Sequence, residues 1–361
     1  MSTRIYKRLG DCIRLVDVRN RDLKVEKLLG LSVEKCFIPS VANIIGTDMS
    51  TYKIIEYGQF VYIADTSRRG DKIAIALYNE EKKAMVSQAY TVFEIADKEQ
   101  LCPDYLMMWF RRPEFDRYAR FKSHGSAREI FDWETMCDIT LPIPSIEEQR
   151  KVVSEYEALT QRVKINNQLI AKLEDTAQTI YRKMFVDGID EKHLPEGWRM
   201  GTIGDIAEIT SGKTCSQKSH MQNDIYIYPV AGASGIIGFS NLYNQDCSFL
   251  TIGRVGTLGK VNRYKGKIYT ADNVLIIKSN WQEYSFQILQ SINYEDIIKG
   301  GVQNLIIQMD LKEYHVIIPA EKKVEMFEDC SSSIYSLIER KRTENKKTTE
   351  LQSLLLAKMG K

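Results

Sequence analysis

Four short stretches set a cation beside glycine, the arrangement by which backbone and guanidinium together grip a phosphate or the edge of a base. They are Thr66-Ser67-Arg68-Arg69-Gly70-Asp71-Lys72, His124-Gly125-Ser126-Ala127-Arg128, Ser211-Gly212-Lys213-Thr214 and Gly253-Arg254, the last on a loop that ends at Lys260. Glycine lets backbone N–H groups approach an anion closely. An arginine fork fits two phosphate oxygens or the O6 and N7 acceptors of guanine. Each stretch alone is weak, because cation–glycine turns occur on many surfaces. Together they mark Arg68, Arg69, Lys72, Arg128, Lys213, Thr214, Arg254 and Lys260 as candidate DNA contacts.

Catalytic patterns fail. Ala207-Glu208-Ile209-Thr210-Ser211-Gly212-Lys213-Thr214 has alanine where a nucleotide-binding P-loop needs its first glycine. Gly253, Gly256 and Gly259 are wrongly spaced for a dinucleotide fingerprint. There is no Asn-Pro dipeptide, so the motif that amino-methyltransferases use on a flipped base is missing. His124, His193, His220 and His315 are scattered, and Pro103-Asp104 lacks the acid-x-Lys of a nuclease. The expectation is a chain that does no chemistry and carries no cofactor or metal of its own. Seven cysteines stand without metal-type spacing, which predicts reduced, mostly buried thiols in a cytoplasmic protein. No run of about 18 apolar residues is present to span a membrane. Net charge is only +2, and residues 1–145 carry 22 basic against 21 acidic side chains. Any phosphate contact must therefore come from local clusters on a balanced surface.

What must position these loops is a repeat. Leu9-Gly10-Asp11-Cys12-Ile13 is answered by Ile203-Gly204-Asp205-Ile206. Gly125 to Ile130 followed by Ile139-Thr140-Leu141-Pro142 is answered by Gly301 to Ile306 followed by Val316-Ile317-Ile318-Pro319. After each exit a long helix begins. The first has Ser145 as N-cap and carboxylates Glu147 and Glu148 in its first turn. Its core positions alternate by four and three: Val152, Tyr156, Leu159, Val163, Asn166, Ile170, Leu173, Ala177, Ile180 and Met184, with Gly188 as a stop. Asn166 either fixes register or faces solvent. The second helix carries Val324, Phe327, Ile334, Leu337 and Ile338, then Leu351, Leu354, Leu355, Leu356 and Met359. Its middle, Glu339 to Lys347, reads as too polar for a full seam and as a solvated face or a nucleic-acid contact. Two half-apolar helices in one chain bury their stripes against each other, and the intervening module makes that pairing antiparallel.

The modules themselves read as α+β. Strands are expected at Lys72–Tyr78, Ser87–Ile95, Ile225–Val230, Phe249–Ile252 and Val274–Ile277, and helices from Pro103 through Trp109 and Pro113 through Phe121.

Leu141-Pro142-Ile143-Pro144-Ser145-Ile146-Glu147-Glu148-Gln149-Arg150-Lys151-Val152-Val153 resembles the step from a recognition domain into the spacer helix of type I restriction-modification specificity subunits. Leu194-Pro195-Glu196-Gly197-Trp198, Ile236-Ile237-Gly238-Phe239, Ile252-Gly253-Arg254-Val255-Gly256 and Asp272-Asn273-Val274-Leu275 are similar to markers of the second such domain. The resemblance covers essentially the whole chain. It implies target recognition domains at 1–144 and 189–319, with spacer helices at 145–188 and 320–361 forming an antiparallel coiled coil. It implies double-stranded DNA with a bipartite target as ligand, and modification subunits, which carry S-adenosylmethionine and methylate adenine, as partners. A restriction subunit that translocates and cuts DNA is an optional further partner. The second exit, Ile318-Pro319-Ala320-Glu321-Lys322-Lys323, departs from the pattern by lacking the proline pair and the Glu-Gln step. Two other classes stay open: a recognition fragment of a fused restriction-methyltransferase, and a coiled-coil scaffold binding only protein. The scaffold leaves the arginine loops unexplained.

Overall fold

The computed structural model describes residues 6–40, 46–66, 70, 72–123, 129–299 and 304–360. The chain forms two compact units, Met1–Asn166 with Thr343–Lys361, and Asn167–Arg342. Each contains one α+β module and a part of both long helices, Ile146–Phe185 and Glu321–Lys358.

The two modules share one topology. In each, an opening strand pairs antiparallel with the strand that leads into the long helix: Tyr6–Arg8 with Thr140–Pro142, and Arg199–Thr202 with His315–Ile318. Inside that clip lies an antiparallel sheet. In the first module its order is Ile13–Val16, Thr91–Ile95, Gln59–Tyr62, Ile75–Leu77. In the second it is Glu208–Ser211, Val274–Lys278, Gln245–Gly253, Val261–Thr270. In chain order both sheets read first, fourth, second, third. The second module then adds the hairpin Tyr228–Gly232 and Gly235–Ser240, joined through a parallel pairing. The faint sequence repeat is a repeat of strand order.

The long expected strands are shorter here. Of Lys72–Tyr78 the strand proper is Ile75–Leu77, and its start is delayed because Ile73 N–H donates to the Asp116 carboxylate instead of a neighbouring strand. Ser87 to Tyr90 turns, and the strand begins at Thr91. The hairpin strand starts at Tyr228, not Ile225, since Asn223 captures the Ile225 and Tyr226 N–H groups with its side chain. Both proline-opened helices form, as Pro103–Phe110 and Pro113–Lys122.

Helix pairing is visible within each unit. In the first, Asn166 is buried and donates to Asn345 Oδ1 at 2.9 Å, Gln352 donates to Thr160 Oγ1, and Arg162 pairs with Glu344. Val153 shares a core with Leu356 and Met359. In the second unit, Ala177 packs with Tyr335 and Ile338, and Phe185 meets Phe327 with ring centroids 5.4 Å apart. Residue numbers rise along one helix as they fall along the other, so the pairing is antiparallel. The polar middle of the second helix is not a gap in it: Arg342 reaches Glu174 at 2.8 Å. Leu351 and Leu354, expected in the seam, are exposed instead. The thiols also differ from expectation. All seven are free, but only Cys12 is buried, and Cys36, Cys247 and Cys330 are exposed.

Each module is latched to its helix by a polar side chain, and the two latches differ. Gln149 is fully buried; it accepts from Cys102 N–H, at the start of helix Pro103–Phe110, and donates to the Gln100 and Pro144 carbonyls at 2.9 Å each. In the second module Glu328 accepts from Glu283 and Tyr284 N–H at the start of helix Gln282–Ser291. The Glu-Gln step missing from the second exit is thus replaced by a carboxylate further along the helix. Gln149→Leu strands one donor and two acceptors, so the first unit should lose about 2–4 kcal/mol in urea unfolding. A loss under about 0.5 kcal/mol would show that water replaces the latch.

Candidate nucleic-acid interface

In the second module four loops converge at the strand ends. Gly212 N–H donates to Val274 O and Lys213 N–H to Thr270 O, so the turn Ser211–Thr214 lies on the turn Thr270–Asn273. Only glycine fits at 212, because a Cβ there would overlap the Ala271 carbonyl. Ala271 N–H donates to Ala231 O, which brings in the hairpin strand. A Cβ on Gly253 would overlap Thr257 O and meet Ala233 at 3.0 Å, so the 253–260 loop folds tightly against the hairpin turn. Lys260 Nζ completes that contact by donating to Ser234 O at 2.6 Å.

The four candidates of this module, Lys213, Thr214, Arg254 and Lys260, therefore stand on one loop cluster. Lys213, Thr214 and Lys260 are exposed and Arg254 is half-buried. Thr214 donates to Asp272 at 2.7 Å, and Tyr269 hydroxyl donates to Thr214 O. Arg254 donates to Ser211 Oγ, which donates in turn to Gln308 Oε1. Ser211 stood in a glycine–cation stretch without being singled out from the sequence, and Gln308 was not marked at all. Gln308 is 97 residues from Ser211 and carries no local motif.

In the first module Arg68, Arg69 and Arg128 lie outside the described residues. The flanks of their two loops are joined: Thr66 N–H donates to Glu129 O, and Phe131 N–H to Ala64 O. The second module repeats this, with Ile306 N–H donating to Arg254 O. In both, the loop after the second sheet strand is pinned by the segment preceding the last short helix. Lys72 is exposed and paired with Glu34 at 2.8 Å, a bond that raises the lysine and lowers the glutamate from their ordinary pKa values.

Among the described residues no group of three or more His, Cys, Asp or Glu side chains is placed to hold a metal ion. Nor is any helix among them long and apolar enough to cross a membrane. Other shifted groups lie away from these loops. Burial lowers Lys35, which bonds Asp116 at 2.7 Å, and burial raises Glu328.

A family model for the type I restriction modification DNA specificity domain matches residues 39–175 and 195–350. Similar proteins include the type I restriction enzyme MjaIX specificity subunit of Methanocaldococcus jannaschii, 22% identical over 304 residues, covering 73% of this chain and 70% of that one. Another is the HindI specificity subunit of Haemophilus influenzae, 18% identical over 417 aligned positions and 90% of each chain. The crystal structure of the type I restriction-modification S subunit from M. genitalium shares the fold with a TM-score of 0.63, at 14% identity and over 99% of this chain and 96% of that one. Two modules of one topology, each followed by a long helix, define a duplicated specificity-domain architecture. This chain belongs to the type I restriction modification DNA specificity domain family.

Proposed function

We propose that the chain is the DNA-reading subunit of a type I restriction-modification enzyme, working in the cytoplasm without catalysing a reaction itself. Residues 1–144 and 189–319 serve as its two target recognition domains, and 145–188 and 320–361 as the helices that carry them. The observation behind this reading is that two modules of one topology each pin the loop after the second sheet strand with the segment preceding the last short helix, the loop that carries Arg254 in the second module. A duplicated reader matches a bipartite target, one half to each module. Arg68, Arg69, Lys72 and Arg128 serve the first half, and Lys213, Thr214, Arg254 and Lys260 the second. Modification subunits supply S-adenosylmethionine chemistry and methylate adenine, and a restriction subunit is an optional addition.

Reconstitution tests this. The purified chain alone should transfer no methyl group from radiolabelled S-adenosylmethionine to duplex DNA. Adding a cognate modification subunit should give adenine methylation at a two-part sequence. Methyl transfer by the contaminant-free chain, or methylation independent of it, would defeat the proposal.

A further inference from the structure

Arg254 is held more completely than any other candidate contact of the second module. Its N–H donates to Asn273 O at 3.1 Å, and its carbonyl accepts from Ile306 N–H at 3.0 Å, so the backbone is fixed from both sides. Its side chain is fixed as well. Nη1 donates to Ser211 Oγ at 3.3 Å. Ser211 is oriented to accept because its own proton goes to Gln308 Oε1 at 3.0 Å. Gln308 is anchored through Nε2 on the Ile209 carbonyl at 2.8 Å. Arg254 Nε is buried without a partner, while the side chain as a whole is only half-buried. What stays accessible is the Nη end of the fork.

A flexible lysine suffices for a phosphate, whereas a guanidinium clamped at one end suits bidentate recognition in a fixed plane. The matching base is guanine, whose O6 and N7 are adjacent acceptors in the major groove. Resting on the DNA-reading role proposed above, we infer that Arg254 reads a guanine in the second half-site, with Ser211 and Gln308 as positioning residues that aim its fork. Lys213 and Lys260, exposed on the flanking turns, then hold phosphates.

Selection of duplexes from a random library by the full chain, followed by titration of the selected duplex, tests the assignment. The wild-type half-site should contain a guanine whose preference falls roughly ten- to a hundredfold in Arg254→Ala. Arg254→Lys keeps the charge and should lose the same preference. Gln308→Ala should lose much of it, because Ser211 then has no acceptor to orient its hydroxyl. Replacing that guanine by 7-deazaguanine removes N7 and should weaken wild-type binding, but not that of Arg254→Ala; inosine, which retains O6 and N7, should bind normally. Thermal unfolding confirms that each variant is folded, and a purely structural latch would shift melting without altering base preference.

The inference is overturned if Arg254→Lys retains every base preference, or if Arg254→Ala weakens all sequences equally with a reduced salt slope, the mark of a phosphate contact. Selection of no sequence by the wild-type chain would instead sink the DNA-reading role itself, and this assignment with it.

Discussion

Exchanging residues 1–144 for the equivalent module of another family member should change one half of the methylated target and leave the other half intact. The module is closed by its own strand pair, Tyr6–Arg8 with Thr140–Pro142, so the cut falls outside its sheet. Its candidate loops start and end inside that clip. The latch that stays behind, Gln149, bonds only backbone groups of the module: Cys102 N–H and the Gln100 and Pro144 carbonyls. A foreign module of the same topology can present those groups whatever its side chains. Each base pair lost from recognition costs about 1–3 kcal/mol, so a changed half-site of a few pairs should reduce methylation of the original target by orders of magnitude. Sequencing methylated adenines in DNA modified by the chimera is the measurement. A chimera in which both halves changed together would exclude independent readers.

Glu283→Ala should be among the most damaging single substitutions in the second unit, costing about 3–5 kcal/mol of stability. The reason is Arg263, which is largely buried, pairs with the buried Glu283, and lies over the rings of Phe286 at 3.6 Å and Tyr335 at 3.2 Å. Burial lowers Arg263 and raises Glu283, so for each partner desolvation outweighs what the pair gives back. Removing one partner leaves the other charge buried and uncompensated. Replacing both, as Arg263→Met with Glu283→Leu, should cost far less than either single change, because two desolvation penalties disappear together. Urea unfolding of the wild type, Arg263→Met, Glu283→Leu and the double variant settles this, and purely additive losses would show that the two charges do not depend on each other.

Nearby Glu328 adds a pH signature. Burial raises its folded-state pKa above the usual 4.5, so the folded unit holds that proton more tightly than the unfolded chain. The stability it contributes is fully present below about pH 4.5 and is lost as pH rises through the folded value. Glu328→Gln should flatten that part of the curve, and an unchanged slope would remove Glu328 from the account.

By itself the sequence determined the repeat, the α+β class, both long helices and the first heptad seam. Capping by Ser145, which accepts from Glu148 N–H, and four-three spacing act within a few residues, so they are written locally. Asn166 was legible as the polar seam position, but its partner Asn345 lies 179 residues away and was not. Tyr181 and Phe185 stand off the heptad seam because they face the second module's core, a demand the helix period does not encode. Loop chemistry was legible only as residue types. That Lys213, Thr214, Arg254 and Lys260 share one surface depends on carbonyls of residues 231, 234, 270 and 274 meeting distant N–H and ammonium donors. Any residue supplies a backbone carbonyl, so such bonds leave no trace in side-chain pattern. The same holds for the latches, where glutamine in one module and glutamate in the other meet one need, the N–H groups at the start of a helix packed beneath the rod. Tertiary structure alone decided which polar side chains became supports and which were left to face a ligand.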